Sequence, residues 1–199
     1  MNQLEVKVNS KKSQKRINTE QSILEAALSL FARNGFDRTS TKQIAELSGF
    51  SEGLIFKYFI DKRQLYSTIF SEWMNRTLNA FRSLPSSSAL REELQILVRA
   101  FIDNYEENLD LVVFHLDQIH HVSDLKEFNK IRQDFIEQRF EILSARLKPY
   151  NSRGQIDVEL LINAIRGYTS INLLFRNWKK EEYDFRVEQF VELLLNGLQ

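Results

Sequence analysis

Between Ser51 and Lys57 the chain sets a hydroxyl, a carboxylate, a residue with no side chain and an ammonium close together, as Ser51, Glu52, Gly53 and Lys57. No neighbouring base activates the serine and no second acid faces the glutamate, so the group lacks the parts of a nucleophilic or acid–base site. What it offers is hydrogen bonding to base edges and phosphates. Lys57 can donate to guanine acceptors or to phosphate, and Glu52 can accept from a cytosine amino group. Gly53 permits close approach of its backbone to a duplex.

Such groups need a rigid support, and the flanking residues describe one. Ile44 and Ala45 lie on one short amphipathic segment, Gly49 follows, and Leu54, Ile55, Tyr58 and Phe59 are the apolar positions of a second. This is the spacing of a helix-turn-helix over residues 40–59. Two helices that cross steeply through a short turn need a small side chain where they touch and a residue that tolerates unusual backbone angles at the turn. Ala45 and Gly49 meet those needs. Phe50 is expected to point into the core and Ser51 to cap the second helix, while Ser40 and Gln43 have the spacing of a capping box for the first. In this geometry the second helix enters the major groove, so Ser51, Glu52, Gly53 and Lys57 face the DNA. Upstream, Ile23, Ala26, Ala27, Leu30 and Phe31 form one face of a helix expected from about Thr19 to Asn34, closed by Gly35.

From Ile23 to Phe70 the segment ILEAALSLFARNGFDRTSTKQIAELSGFSEGLIFKYFIDKRQLYSTIF resembles the N-terminal domain of the TetR family of transcriptional regulators. The resemblance rests on the Ala-Ala and Leu-Phe of the first helix, Gly35, the Thr/Ser run, Gly49 and the Phe59 to Lys62 ending. It implies an all-α protein of about nine helices: a three-helix DNA-binding domain, then a larger helical domain for effector binding and dimerisation. The boundaries expected are a basic arm over 1–16, the DNA-binding domain over 17–77 and the effector domain over 78–199. Carried over by motif position, Ser40, Thr41 and Lys42 touch phosphates, Tyr58 bonds a phosphate through its hydroxyl, and Lys62 adds its ammonium at a helix N-terminus whose dipole favours an anion. Phe56 stands where the family commonly has Tyr, and Lys57 where it commonly has His. The first change leaves Phe56 only an apolar contact with a thymine methyl or a sugar; the second adds a charge.

The chain has 199 residues, no cysteine, and equal numbers of basic and acidic side chains. Disulfides, thiolate metal sites and cysteine nucleophiles are excluded. No run approaches the roughly 20 apolar residues that cross a bilayer, so a cytoplasmic location without membrane contact is expected. No glycine-rich phosphate loop or nucleophile elbow is present, and no enzyme activity or cofactor is expected. The balanced charge hides an asymmetry: through Arg63 there are eleven basic against seven acidic residues, and sixteen against twenty beyond it. That is the sense expected if only the first part faces phosphate. Residues 1–16, with Lys7, Lys11, Lys12, Lys15 and Arg16, read as an arm disordered on its own, either reaching DNA or simply solvated.

A fourth helix is expected from about Asp61 to Ser83, ended by LPSSS at 84–88. Further helices are expected at about 89–107, 109–121, 124–148, 155–180 and 184–198. By resemblance this half holds a small-molecule cavity, and Phe101, Tyr105, Phe114, Tyr168, Asn172 and Phe175 are its candidate lining, suiting an apolar or aromatic effector. Arg166, like Asn172, could meet a polar ligand group. Ile156, Leu160, Ala164 and Gly167 on one helix, and Phe190 and Leu194 on the next, form stripes suited to the family's dimerisation through its final two helices. A palindromic operator on double-stranded DNA requires such a homodimer. His115, His120 and His121 lack the i, i+4 spacing that aims two rings at one ion, so no metal site is expected. The alternative is a DNA-binding architectural or partner-regulated protein with no small effector.

Overall fold

The computed structural model describes residues 3–112, 126–151, 156–175 and 178–197. They form α-helices joined by turns and two short 3-10 segments, and no strand occurs among them. The helices are α1 (Gln3–Asn34), α2 (Thr41–Ser48), α3 (Glu52–Tyr58), α4 (Lys62–Ser83), α5 (Leu90–Glu107), α6 (Lys126–Leu147), α7 (Val158–Leu174) and α8 (Tyr183–Gly197). Residues 109–112 are also helical. Two compact units are formed, and the division falls within α4, between Glu72 and Trp73 rather than near 77.

The first unit is built by α1, α2, α3 and the opening turns of α4. Ile23, Ala27 and Phe31 of α1, Ile44 and Ala45 of α2, Ile55 and Phe59, and Leu65, Tyr66 and Phe70 of α4 are all buried. Tyr66 holds the aromatic centre together, lying 6.3 Å from Phe31, 5.5 Å from Phe36 and 6.1 Å from Phe70 between ring centroids. Gly35 ends α1 at φ 82°, in the left-handed region where a Cβ is costly, and its N–H donates to Phe31 O at 2.9 Å. α1 begins at Gln3, not near Thr19, so the basic arm is helical rather than irregular. The arm contains no Gly or Pro to stop a helix growing back from the apolar turns.

The second unit contains the rest of α4 and α5 to α8, with α5 packed on both α7 and α8 and α6 packed on α7. Its core runs through Phe81, Leu94, Leu97, Phe101, Ile102, Leu143, Ile162, Ile165, Val187 and Phe190. The loop after α4 is fixed by one buried ion pair. Glu93, 1% exposed, faces Arg146 at 2.7 Å, off the hydrogen-bond direction, and accepts from Ser87 N at 3.0 Å. Arg146 also donates to the carbonyls of Leu84 and Pro85, and the Tyr150 hydroxyl to that of Ser87.

α7 starts on an Asp157 cap, whose carboxylate accepts from Leu160 N at 2.9 Å, and ends at Leu174 rather than near 180. Trp178 explains the early end. Its ring is buried against Tyr168 at 5.1 Å and Tyr183 at 6.3 Å. On a continuous helix, at about 100° per residue, position 178 would turn well away from 168, so the chain must leave the helix to bury both rings.

Candidate nucleic-acid interface

Local chemistry fixes α2 and α3. Ser40 has extended backbone, its hydroxyl accepts from Gln43 N at 3.2 Å, and Gln43 Oε1 accepts from Ser40 N at 2.8 Å, a complete capping box. Gly49 closes α2 at φ 75°, its N–H donating to Ala45 O, and Phe50 N reaches the same carbonyl at 3.1 Å. Phe50 itself is only half-buried. Ser51 then caps α3 by accepting from Leu54 N at 3.2 Å. Ile55 is the buried anchor of α3, and Leu54 and Tyr58 flank it.

The opposite face of α3 is open. Gly53, Phe56 and Lys57, spaced at three and four residues, are exposed, with Phe56 at 51%. A Cβ built on Gly53 would meet no atom within 4 Å, so nothing in the protein's own packing requires a glycine there. The Thr41 hydroxyl donates to the Glu52 carboxylate, which ties the first residue of α2 to the first residue of α3. The two helix N-termini are thereby held beside each other. Lys42 is exposed next to this pair.

Several residues stand differently from expectation. Thr41 and Glu52, both expected on DNA, bond to each other. Lys62 is already engaged within the protein. Its ammonium donates to Phe36 O at 2.7 Å and Thr39 O at 2.8 Å, and lies 4.3 Å above the Phe36 ring centroid. Burial lowers its pKa, and the nearby Asp37 charge only partly opposes this. Lys62 is a clamp on the chain entering α2, where the sequence alone suggested a free phosphate contact. Tyr58 is half-buried, and Arg16 of α1 holds its guanidinium 5.7 Å from the Tyr58 ring centroid. Arg16 was visible in the sequence only as one of several basic residues in the arm; the contact needs α1 to extend back past Thr19.

Residues 23–69 match the family of bacterial regulatory proteins, tetR family. The likeness to the TetR family is carried by this N-terminal segment. Among its relatives, the HTH-type transcriptional repressor KstR2 of Rhodococcus jostii is 23% identical over 88% of this chain and 89% of its own. A putative TetR-family regulator from Mesorhizobium loti shares the fold at a TM-score of 0.72, with 20% identity over 90% of this chain and 96% of that one. FadR of Bacillus subtilis, solved with stearoyl-CoA, superposes at a TM-score of 0.67, with 17% identity over 89% of this chain and 96% of that one.

In this chain, the residues proposed for an effector and a dimer partner separate into different environments. Phe101 is core, 4.9 Å from Phe81 between centroids, and Tyr105 lies half-buried beside it. Tyr168 stacks on Phe190 at 3.8 Å, and the Asn172 amide donates to Tyr168 O at 2.7 Å. Phe175, at 73% exposure, points to solvent and does not line a cavity with the others. Phe114 lies outside the described residues, as do His115, His120 and His121. Among the dimer candidates, Ile156 and Phe190 are corrected: both are buried in their own subunit's core, Phe190 at 4% exposure. Ala164 and Leu194 pack partly on that core. Leu160 is exposed, and Gly167 carries open space where a Cβ would be. With Leu160, Ile171 and Phe175 continue an outer apolar face of α7, and Phe185 and Leu193 one of α8. Periodicity alone identified both stripes but could not say which side of each helix the core would take.

Proposed function

We propose that this protein is a homodimeric transcriptional repressor that reads a palindromic operator through α3 and releases it when a small apolar or aromatic molecule binds the second unit. The observation that carries the reading is the open face of α3, where Gly53, Phe56 and Lys57 project beside two capped helix N-termini. Its shape and charge suit a major groove, with the α2 end against the backbone. Dimerisation is supported by the exposed Leu160 and Ile171 on α7, Phe175 just beyond its end, and Phe185 and Leu193 on α8, large apolar side chains that a lone subunit leaves in water. An effector is supported by the stearoyl-CoA bound to FadR of Bacillus subtilis. The protein acts in the cytoplasm without catalysis; no described helix is long and apolar enough to cross a membrane.

The test is a gel shift on the promoter region beside the protein's own coding sequence, run across a salt series. The regulator reading expects tight binding to a two-fold symmetric site that weakens steeply with salt. Release by an added apolar compound favours a sensor; binding to DNA that no compound alters favours the architectural alternative. Phe175→Glu supplies the second arm, expected to shift sedimentation from dimer to monomer with the helical signal unchanged. A Phe175→Glu protein that stays dimeric removes α7 from the interface.

A further inference from the structure

Between α6 and α7 lies a cavity of about 200 Å³, lined on its apolar side by Ile136, Phe140 and Ile162 and reached by Arg139. Arg139 is 8% exposed. Its guanidinium lies 5.2 Å from the Phe135 ring centroid, and its Nε has no hydrogen-bond partner. Two acids also line the cavity, yet neither forms an ion pair with Arg139: Glu137 accepts from Gln133 at 2.9 Å, and Glu159 is exposed in the first turn of α7. The ionisable groups that act on Arg139 are Arg166 of α7, whose like charge repels it, and Tyr105 of α5. Burial, then Arg166, bring its pKa down to about 10, while burial pushes the Tyr105 phenol up and keeps it a donor.

A buried charge is normally paired, because an uncompensated one is costly to hold away from water. Here a buried arginine, with no ion-pair partner and its Nε unbonded, stands beside an apolar hollow whose two acids, Glu137 and Glu159, are exposed and do not pair with it. We propose that this cavity binds an amphipathic anion, an apolar small molecule carrying one carboxylate or phosphate group, with Arg139 as the residue that pairs with the charge. Arg166 adds to the positive potential, and Ile136, Phe140 and Ile162 receive the apolar body. The proposal rests on the regulator reading for its role as the effector site and narrows the effector from merely apolar to apolar with an anionic head.

The protein is titrated by calorimetry with octanoate, octyl phosphate and octanol, and the titrations are repeated with Arg139→Met and Arg139→Gln. At least one of the two anions is expected to bind about 10-fold or more tightly than octanol, and whichever binds better identifies the head group. A charge-assisted hydrogen bond of this kind corresponds to about 10- to 100-fold in affinity, the loss expected for both variants with octanol binding unchanged. Arg139→Met exchanges a buried charge for apolar volume and is expected to fold; Arg139→Gln keeps a polar group should it not. Equal binding of octanol and the anions, unchanged anion affinity in the variants, or no binding of either anion at millimolar concentration would overturn the site. Anion binding by a protein that ignores every duplex would instead sink the regulator reading and leave the site standing.

Discussion

Replacing Gly53 by alanine should move stability and DNA binding in opposite directions. The added methyl meets no protein atom within 4 Å, and Gly53 sits inside α3, where glycine carries a larger entropy cost than alanine. The folded protein should therefore gain about 0.5–1 kcal/mol, or about 2–8 °C in the melting of the unit that holds α3. On DNA the same methyl stands on the face proposed to enter the groove. If it holds the backbone of α3 off the bases, the loss is on the scale of a mismatched base pair, about 1–3 kcal/mol, which is about 5- to 150-fold in affinity. Gly49→Ala is the internal control. It too has open space around its Cβ, but at φ 75° it should cost about 1–2 kcal/mol of stability. The assays are urea denaturation followed by circular dichroism, and fluorescence anisotropy on a labelled operator. A Gly53→Ala protein that binds DNA as tightly as the parent would refute the placement of α3's open face in the groove; one that melts lower would refute the packing argument.

Lys62→Ala should destabilise the first unit by about 1.5–3 kcal/mol through the lost charge-assisted bonds to Phe36 and Thr39, and should leave the salt dependence of DNA binding by the folded fraction unchanged. Lys57→Ala should do the reverse, altering base preference and lowering the salt slope with little effect on melting; paired denaturation and anisotropy measurements separate the two. Arg146→Ala should cost about 3–5 kcal/mol by leaving Glu93 charged and buried, whereas the double change Glu93→Leu with Arg146→Met should cost less, as read by urea unfolding. Burial raises the Tyr66 pKa above its ordinary value of 10.0. The fold keeps the protonated phenol while the unfolded chain releases its proton near 10.0, so this contribution is complete below that pH and is lost as pH rises beyond it. Tyr66→Phe should accordingly lose less stability than the parent between about pH 9 and 11 in the same denaturation assay.

The parts legible in the sequence are those whose cause is local. Ser40 and Gln43 satisfy each other across three residues, Gly49 and Gly35 mark left-handed turns, and Ser51 caps the helix it precedes; each is a short-range rule with few competing solutions. The bonds of Lys62 were hidden because its partners, the Phe36 and Thr39 carbonyls, lie more than twenty residues away in the chain. The same distance problem hid the ion pair of Glu93 with Arg146 and the stacking of Tyr168 on Phe190. For α7 and α8 the stripes were wide enough to serve either a core or an interface, and only the packed neighbours decide that Phe190 faces inward and Phe175 outward. Arg139 gave no signal at all, since one arginine in a charged amphipathic helix looks like any other until its surroundings are known.

Selection of bound duplexes from a random pool by the purified protein at low ionic strength tests the central claim most directly. The account predicts one enriched sequence with two-fold symmetry, its half-sites centred about 34–36 Å apart or a multiple of that, and a changed preference within each half when Lys57 is replaced by alanine. Recovery of no common sequence, or of a single unsymmetrical site with preferences that Lys57→Ala leaves untouched, would contradict it.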